Sequence, residues 1–255
     1  FRVPEGETFN SLEAAKKAYP RFAQKAFVIK PKSTNYGLGI TIFKGETSIT
    51  DFNTGLALAF AEDTEIIIEE FLPGTEYRFF VIDHKVKAVL LRIPANVIGD
   101  GERTIAELVA EKNESPLRGL NHRSPLEKIQ LGELEQLMLK EQGLNIDSVP
   151  EKGQQVFLRE NSNVSTGGDS IDVTDEMHES YKKIAVAAVD VLGARISGID
   201  LIIPDKNKPS ESKDDYGIIE ANFNPMMHMH IYPYSGKSRR LTLDVLRFLY
   251  PEMTI

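Results

Sequence analysis

The sequence has 255 residues, is 41% hydrophobic and 27% charged, and is long enough for one large globular domain or two lobes. Its net charge of −8 argues against a nucleic-acid partner, because the chain has no basic excess with which to neutralise phosphates. The absence of cysteine excludes disulfides, thiolate zinc sites and cysteine nucleophiles and is compatible with a cytoplasmic protein, and no apolar run reaches the ~20 residues of a membrane span.

Helix and strand patterns alternate irregularly along the chain. Apolar spacing predicts helices at 10–20 (ended by Pro20), 51–61, 131–142, 174–192 and 241–249, and Thr104 with Glu107 predicts a capping box at the start of a further helix. Apolar runs predict strands at 27–29, 40–43, 155–160, 198–204 and 216–222, and a β-rich stretch at 65–94 has turn signals at Pro73–Gly74 and Asp83–Lys85. This order predicts an α+β fold with mainly antiparallel sheets.

The stretch VIKPKSTNYGLGI at 28–40 is a candidate phosphate-binding hairpin. Lys30 would supply a positive charge near a strand end, and Gly37 and Gly39 would let backbone N–H groups approach an anion. The alternative is an ordinary glycine-containing hairpin with an exposed lysine, and the residues alone leave both interpretations open.

The stretch IIIEEFLPGTE at 66–76 is a candidate nucleoside-binding hinge. An apolar strand ends here in two carboxylates and an aromatic residue, and a third carboxylate, Glu76, follows the turn. Backbone atoms of the hinge would read an adenine edge and Glu76 would hold ribose hydroxyls. The alternative is a strand that runs into a solvated turn.

Asp200, Glu220 and Asn222 are candidate ligands of a hard cation. Asp200 lies within the apolar run GIDLIIP, where an ionised side chain is costly unless it is paired or coordinated. If residues 204–216 join two strands of a hairpin, Asp200 lies opposite Glu220, and Asn222 shares the face of Glu220. Two carboxylates and an amide oxygen then converge, as in a Mg²⁺ site completed by substrate phosphates. The alternative is an edge strand with a solvated glutamate.

Arginine and histidine side chains supply further candidates. Arg78, Arg92 and Arg159 lie in or beside the β-rich part, available to a carboxylate or phosphate or to a surface ion pair. His228 and His230 form an H-x-H pair, but two imidazoles without a third ligand make a weak zinc site. A substrate-contacting or structural loop is the favoured interpretation of that pair.

Three longer motifs carry a resemblance to a known family. They are GTEYRFFVIDHKVKAVLLRIPANVIGDGERTIAELV at 74–109, LRENSNVSTGGDSIDVT at 158–174 and EANFNPMMHMH at 220–230. Together with the features above, they resemble the ATP-grasp ligases, and most closely the C-terminal module of the bacterial bifunctional glutamate–cysteine ligase/glutathione synthetases. The cyanophycin synthetases share a looser version. The resemblance covers essentially the whole chain.

The resemblance implies an ATP-grasp fold with ATP bound between two lobes, a smaller one at 1–68 and a larger one at 69–255. The implied nucleotide-binding residues are Lys30, Lys32, Ser33, Gly37, Gly39, Glu69, Glu70, Phe71, Leu72 and Glu76. Asp200, Glu220 and Asn222 would ligate Mg²⁺ or Mn²⁺. Residues assigned to substrate are Arg78, Asn163, Ser165, Thr166, Gly167, Asn224 and His228.

Two departures from the family pattern stand out. A nucleotide-binding lysine upstream of the VIK strand is missing, and the chain opens at FRVPEG without methionine, so we expect a piece of a longer protein. Many relatives have arginine two residues before the metal aspartate, where this chain has Gly198. The anion-stabilising, catalytic arginine is therefore expected at Arg92 or Arg159.

The implied reaction joins γ-glutamylcysteine to glycine through an acyl phosphate with consumption of ATP, in a chain fused to an N-terminal glutamate–cysteine ligase domain. The loop NSNVSTGGDS is the candidate to close over the acyl phosphate, because Gly167 and Gly168 permit motion. The alternatives are another amino-acid or peptide ligase of cyanophycin-synthetase type, or a non-catalytic nucleotide-binding fragment.

Overall fold

The computed structural model describes residues 1–34, 38–121 and 123–252, which divide into two compact units. The N-terminal unit consists of Arg2–Gly74 with Gly217–Ile219, and the C-terminal unit contains Thr75–Tyr216 and the chain from Glu220 onward. The first division therefore falls between Gly74 and Thr75, six residues after the predicted 68/69. The reason is that the strand at Ile66–Glu70 is hydrogen-bonded within the sheet of the N-terminal unit.

The N-terminal unit has a four-stranded antiparallel sheet in the order β1-β4-β2-β3. In chain order its elements are β1 (Gly6–Phe9), α1 (Leu12–Lys16), α2 (Tyr19–Phe22), β2 (Phe27–Pro31), β3 (Thr41–Phe43), α3 (Ile49–Glu62) and β4 (Ile66–Glu70). The prediction that Pro20 ends the first helix was wrong. Pro20 lies in the first turn of α2, where its missing N–H leaves no helical hydrogen bond unmade.

Alternate residues of two central strands build the core of the N-terminal unit. Phe27 and Ile29 of β2 and Ile66 and Ile68 of β4 are fully buried, as expected for a strand whose side chains alternate between two faces. They pack with Phe52 of α3 in one apolar cluster. Because side chains alternate along β2, Lys30 lies on the opposite face of the strand from the buried Phe27 and Ile29.

The C-terminal unit is built on a five-stranded sheet in the order β11-β6-β5-β12-β13, in which β13 belongs to this unit from Glu220 onward. In chain order the elements are β5 (Thr75–Ile82), β6 (Lys85–Ile93), β7 (Asn96–Ile98), α4 (Ile105–Lys112), β8 (Arg118–Gly119), β9 (Leu126–Glu127), α5 (Glu133–Glu141), β10 (Gln155–Phe157), β11 (Asp169–Asp172), α6 (Glu179–Val191), β12 (Ile196–Ile203), β13 (Gly217–Asn222), α7 (His228–Ile231) and α8 (Leu241–Leu249). β11 with β6, β6 with β5, and β5 with β12 pair antiparallel.

Two smaller ribbons and two short 3₁₀ helices complete this unit. β7 pairs antiparallel with β10, and β8 pairs parallel with β9. The 3₁₀ helices span Val164–Thr166 and Lys213–Asp215. The predominance of antiparallel pairs agrees with the predicted α+β architecture.

Local signals in the sequence account for several of these elements. Asp83 and His84 have φ values of 46° and 62°, the conformation that a tight turn between β5 and β6 requires at both central positions. Thr104 and Glu107 form the predicted capping box of α4. α6 starts at Glu179 rather than at the predicted Thr174, because His178 caps it by accepting a hydrogen bond from the Ser180 backbone N–H.

Within the described part of the chain, no helix combines the length and the apolar character needed to cross a membrane.

Candidate functional site

A buried ion-pair network lies on the central strands of the five-stranded sheet. The register of β5 and β12 places Arg78 directly opposite Asp200. Asp200 is fully buried and accepts hydrogen bonds from Arg78 Nε, from Arg78 Nη2 at 2.6 Å and from Arg92 Nη2 at 3.0 Å. The carboxylate therefore accepts from two guanidinium groups. Such charge-assisted hydrogen bonds are among the strongest in proteins.

The surrounding charges keep this network ionised. Burial alone would raise the pKa of Asp200, but attraction to Arg92 and Arg78 outweighs it, and the pKa lies below its usual value. Burial opposes the charge on Arg78 in the same way, and the carboxylates of Asp200 and Glu220 nevertheless raise the pKa of its guanidinium. The effect of Glu220 on Arg78 shows that both candidate metal-binding carboxylates act on one arginine.

The network continues from Arg92 to a loop that precedes β11. Arg92 forms a second ion pair, with Glu76, and Glu76 accepts a hydrogen bond from Ser162 Oγ at 2.9 Å. Asp200, Arg92, Glu76 and Ser162 thus form a chain of alternating donors and acceptors. This chain joins the buried aspartate to the stretch of residues 161–168, called here the 161–168 segment.

The 161–168 segment has a defined conformation. Asn163 accepts a hydrogen bond from the Ser165 backbone N–H at 3.1 Å, and Thr166 Oγ1 donates to Asn161 Oδ1 at 2.8 Å. Gly167 ends the 3₁₀ turn with φ 93°, a conformation that favours glycine. The Ser165 hydroxyl is buried and has no hydrogen-bond partner among the described residues, which is uncommon for a buried polar group.

Gly198 explains how Arg78 fits beside Asp200. A Cβ atom at position 198 would lie 3.2 Å from Arg78 Cδ and 3.0 Å from Pro225 Cβ. Arg78 therefore fills the space that a side chain at position 198 would need. Whereas the sequence predicts Arg92 or Arg159 as the replacement for an arginine at position 198, both Arg78 and Arg92 contact Asp200 in the structure.

Arg159 has a different environment. Its Nε donates to Glu135 Oε1 at 2.5 Å, and the Glu135 side chain is only 2% exposed. Arg159 also lines an open cavity of about 610 Å³ at the start of α5. The described contacts of Arg159 thus assign it to the α5 region, and its catalytic role stays a prediction.

The predicted cation ligands differ in their surroundings. Asp200 is committed to two arginines, Glu220 is exposed, and Asn222 is half-buried with an amide nitrogen that has no hydrogen-bond partner among the described residues. Two carboxylates and an amide oxygen are donors that suit Mg²⁺. No group of three or more histidine, cysteine, aspartate or glutamate side chains in the described ranges is arranged to hold a metal. A cation at Asp200 would therefore share the carboxylate with Arg78 or Arg92.

His230 is buried rather than an exposed member of an H-x-H pair. It is fully buried, and its ring meets Phe80 edge-on with the centroids 5.4 Å apart. Burial, assisted by Arg78, lowers the pKa of His230 to about 3, so the imidazole is neutral at pH 7. His228 is half-buried and Asn224 is exposed, and their roles in substrate binding stay predictions.

Lys30 and Glu69 form the central ion pair among the predicted nucleotide-binding residues of the N-terminal unit. Lys30 Nζ lies 2.5 Å from Glu69 Oε1, and the two side chains are 22% and 13% exposed. Lys32 pairs with Glu65 at 2.7 Å, and the Ser33 N–H donates to Asp63 at 2.8 Å. The carboxylates of the strand and the lysine of the hairpin thus neutralise each other in this structure.

The remaining predicted nucleotide-binding residues lie on the strand and turn that follow. Glu70 pairs with Arg2, and the Phe71 N–H donates to the Ala26 carbonyl at 3.1 Å. Leu72 lies beyond the end of β4. Gly39 has φ 70°, and Gly37 lies outside the described residues.

Three further charged residues, which the sequence did not mark as candidates, cluster beside the 161–168 segment. Arg118 and Lys112 both pair with Asp169 at the start of β11. Asp169 directly follows the two glycines of the NSNVSTGGDS loop, and this position is the feature of the sequence that could have identified it. Arg118 lies in a polar, proline-containing stretch that resembles a solvated loop in sequence.

Comparison with known proteins gives strong matches to one group. No protein-family model matches the sequence. The chain is 67% identical over 254 residues to the glutathione biosynthesis bifunctional protein GshAB of Enterococcus faecalis, covering 99% of this chain and 34% of that protein. It is 61% identical to the GshAB protein of Mannheimia succiniciproducens over 99% of this chain and 34% of that protein.

Among solved structures, the bifunctional glutathione synthetase from Pasteurella multocida has a TM-score of 0.73 and 59% identity, over 99% of this chain and 35% of that chain. The chain thus spans about a third of the length of the curated relatives that it matches. These matches confirm the resemblance, and the shared structure agrees with the α+β ATP-grasp fold that it implies.

Proposed function

We propose that the chain is an ATP-dependent ligase with glutathione synthetase activity, since nearly all of it matches a segment that makes up one third of the length of the bifunctional glutathione biosynthesis proteins. In this reaction the free carboxylate of γ-glutamylcysteine attacks the γ-phosphorus of ATP, which forms an acyl phosphate and releases ADP. The amine of glycine then attacks the acyl carbon, phosphate leaves, and the amine loses a proton. The products are glutathione, ADP and phosphate.

The observation that best supports this proposal is the buried pair of arginines at Asp200. Phosphoryl transfer needs fixed positive groups where negative charge accumulates, and it needs little covalent chemistry from the protein. Arg78 and Arg92 are held in place by Asp200 and by the flanking strands, so they are oriented before substrate binds. Pre-oriented charges of this kind act without reorganisation during the reaction.

In this proposal Asp200, Glu220 and Asn222 hold Mg²⁺, for which Mn²⁺ is a substitute. The ion, when bound, neutralises charge on the phosphates of ATP. The protein's own contribution is to supply oxygen donors from neighbouring strands and to keep Asp200 ionised, which the low pKa of that carboxyl ensures.

The chain also supplies candidate groups for nucleotide and peptide. We assign the nucleotide to Lys30, Lys32, Ser33, Gly37, Gly39, Glu69–Leu72 and Glu76, and the dipeptide to Arg78, Asn224, His228 and the 161–168 segment. Support for the latter comes from the unpartnered Ser165 hydroxyl and from the Glu76–Ser162 hydrogen bond, which joins the segment to Arg92.

The proposal extends to the longer protein. The relatives are about three times as long as the aligned region, and their name describes a bifunctional protein. We therefore propose a cytoplasmic protein in which this chain is joined to a glutamate–cysteine ligase domain that makes its dipeptide substrate.

The test is ADP release from ATP and Mg²⁺ with γ-glutamylcysteine and glycine together, with each alone, and with neither. We expect release only with both substrates, and its loss in Glu220→Ala. Glu211→Ala removes an exposed carboxylate from the turn before β13 and serves as the matched control. Release that persists in Glu220→Ala would remove the metal assignment, and release with other amino acids alone would replace the substrate assignment.

A further inference from the structure

The 161–168 segment is bound by the buried side chain of Arg118, a charged residue with no assigned role in the proposed reaction. Arg118 has a side chain with 0% exposure, although it lies in a loop-rich part of the chain. Its Nη1 donates to the Gly167 carbonyl at 2.9 Å and to the Glu127 carbonyl at 2.7 Å, and its Nη2 donates to Asp169 Oδ1. One guanidinium thus joins the segment, β9 and β11.

Asp169 is itself fixed by two further donors. Lys112 Nζ lies 2.6 Å from Asp169 Oδ2, and Asn96 Nδ2 lies 3.0 Å from the same atom. The Lys112 and Arg118 cations also lie 5.1 Å and 5.5 Å from the ring centroid of Tyr234, within the range of cation–π attraction. Asp169 thus accepts from three donors, and two of these donors are also held against the Tyr234 ring, so that Arg118 has a fixed position.

The backbone of the segment is closely packed at its glycines. A Cβ atom at Gly168 would lie 2.8 Å from the carbonyl oxygens of both Asn163 and Ile93, so the backbone is closely enclosed at this position. Val164, at the start of the 3₁₀ turn, is buried in an apolar cluster with Leu90. The left-handed turn at Gly167 and the close approach of the backbone at Gly168 account for both glycines, and the expectation that they permit motion stays a prediction.

We infer that Arg118, held by Asp169, is a positioning residue that keeps the 161–168 segment in the conformation that binds the peptide substrate. This inference rests on the proposed function for the identity of the ligand. The physical step is that the bond from Arg118 to the Gly167 carbonyl fixes the end of the 3₁₀ turn. It thereby fixes Asn163, Ser165 and Thr166, which the proposed function assigns to the dipeptide.

A segment positioned in advance costs less to order on binding than a mobile one. Loss of Arg118 is therefore expected to weaken dipeptide binding more than it slows the chemical step. We expect Arg118→Ala to raise the KM for γ-glutamylcysteine by about tenfold or more and to change kcat by less than about threefold. Arg118→Lys, which keeps the charge and one donor nitrogen, should recover part of the loss.

The experiment combines this kinetic comparison with amide hydrogen exchange on the whole chain, which needs no activity. In Arg118→Ala we expect exchange in the 161–168 segment to accelerate by about tenfold or more while the remainder of the five-stranded sheet keeps its protection. Arg103→Ala is the matched control, because Arg103 pairs with Asp100 and Glu111, which lie outside the segment. Asp169→Asn gives a second, shape-conserving variant with the same expected local effect.

Three results would overturn the inference. They are unchanged exchange in the segment, faster exchange throughout the unit, and local acceleration with an unchanged KM. If the wild-type chain turns over none of the substrates, the proposed function fails on its own. The exchange measurement then still decides whether Arg118 holds the segment.

Discussion

The burial of His230 predicts a specific dependence of stability on pH. The ring is fully buried, and burial followed by repulsion from Arg78 and Arg92 lowers its pKa from 6.5 to about 3, in spite of the opposing attraction of Asp172 and Asp200. In the unfolded chain this histidine binds a proton near pH 6.5, whereas in the folded chain it stays neutral. The unfolded state therefore holds more protons between these values, and stability falls as the pH is lowered.

The magnitude follows from the number of protons that the chain takes up on unfolding. One proton difference corresponds to about 1.4 kcal/mol of unfolding free energy per pH unit. His230 should therefore contribute about 1.4 kcal/mol per unit to the loss of stability between about pH 6 and pH 4, or roughly 3 kcal/mol over that range. His230→Gln removes the titrating ring and keeps a polar side chain of similar size, so the acid slope should decrease by this amount.

The assay is urea unfolding of the whole chain at several pH values from about 4 to 7.5, followed by far-ultraviolet circular dichroism. His84→Gln is the control, because the His84 side chain is 58% exposed and pairs with the exposed Asp190. Carboxylates contribute to the acid slope of every variant, so the difference between variants isolates His230. Equal slopes in the wild type and His230→Gln would refute a buried neutral imidazole.

Two further predictions concern stability. Asp200→Asn removes the charge shared by Arg78 and Arg92 and should lower the unfolding free energy by about 3–5 kcal/mol, whereas exposed Asp214→Asn should change it by less than about 0.5 kcal/mol. A loss of unfolding free energy below about 1 kcal/mol for Asp200→Asn would contradict the conclusion that Arg78 and Arg92 depend on this carboxylate for their burial. Thr104→Ala should cost about 1 kcal/mol by opening the capping box of α4, with Thr104→Ser restoring it; an unchanged urea midpoint would contradict that role.

Local features of the fold were predictable because their causes lie within a few residues. The turn at Asp83 and His84, the capping box at Thr104 and the bounds of α8 depend on backbone preferences that neighbouring residues reveal. The start of α6 was misplaced because residues 174–177 continue the apolar spacing of the helix. In the structure the Thr174 hydroxyl instead accepts from the Val89 N–H and donates to Asp172.

The candidate site was predictable only in part, for the opposite reason. The apolar neighbours of Asp200 showed that its charge needs a partner, but they carry no information about which one. Arg78 is 122 residues away along the chain and reaches Asp200 through the pairing of β5 with β12. Arg118 was missed because its role depends on a carbonyl group, and the sequence around Gly167 does not mark which carbonyl a distant arginine will bind.

The contact between Gly198 and Arg78 has a consequence for how this protein can diverge. Between β5 and β12, positions 78 and 198 compete for the same space beside Asp200, and here Arg78 of β5 fills it. An arginine moved to position 198 would need a small residue at position 78 and a shift of Pro225, and the charge beside the carboxylate would be conserved while its strand of origin changed. Positions 78 and 198 should therefore covary among homologues, with natural selection acting on the pair rather than on either residue.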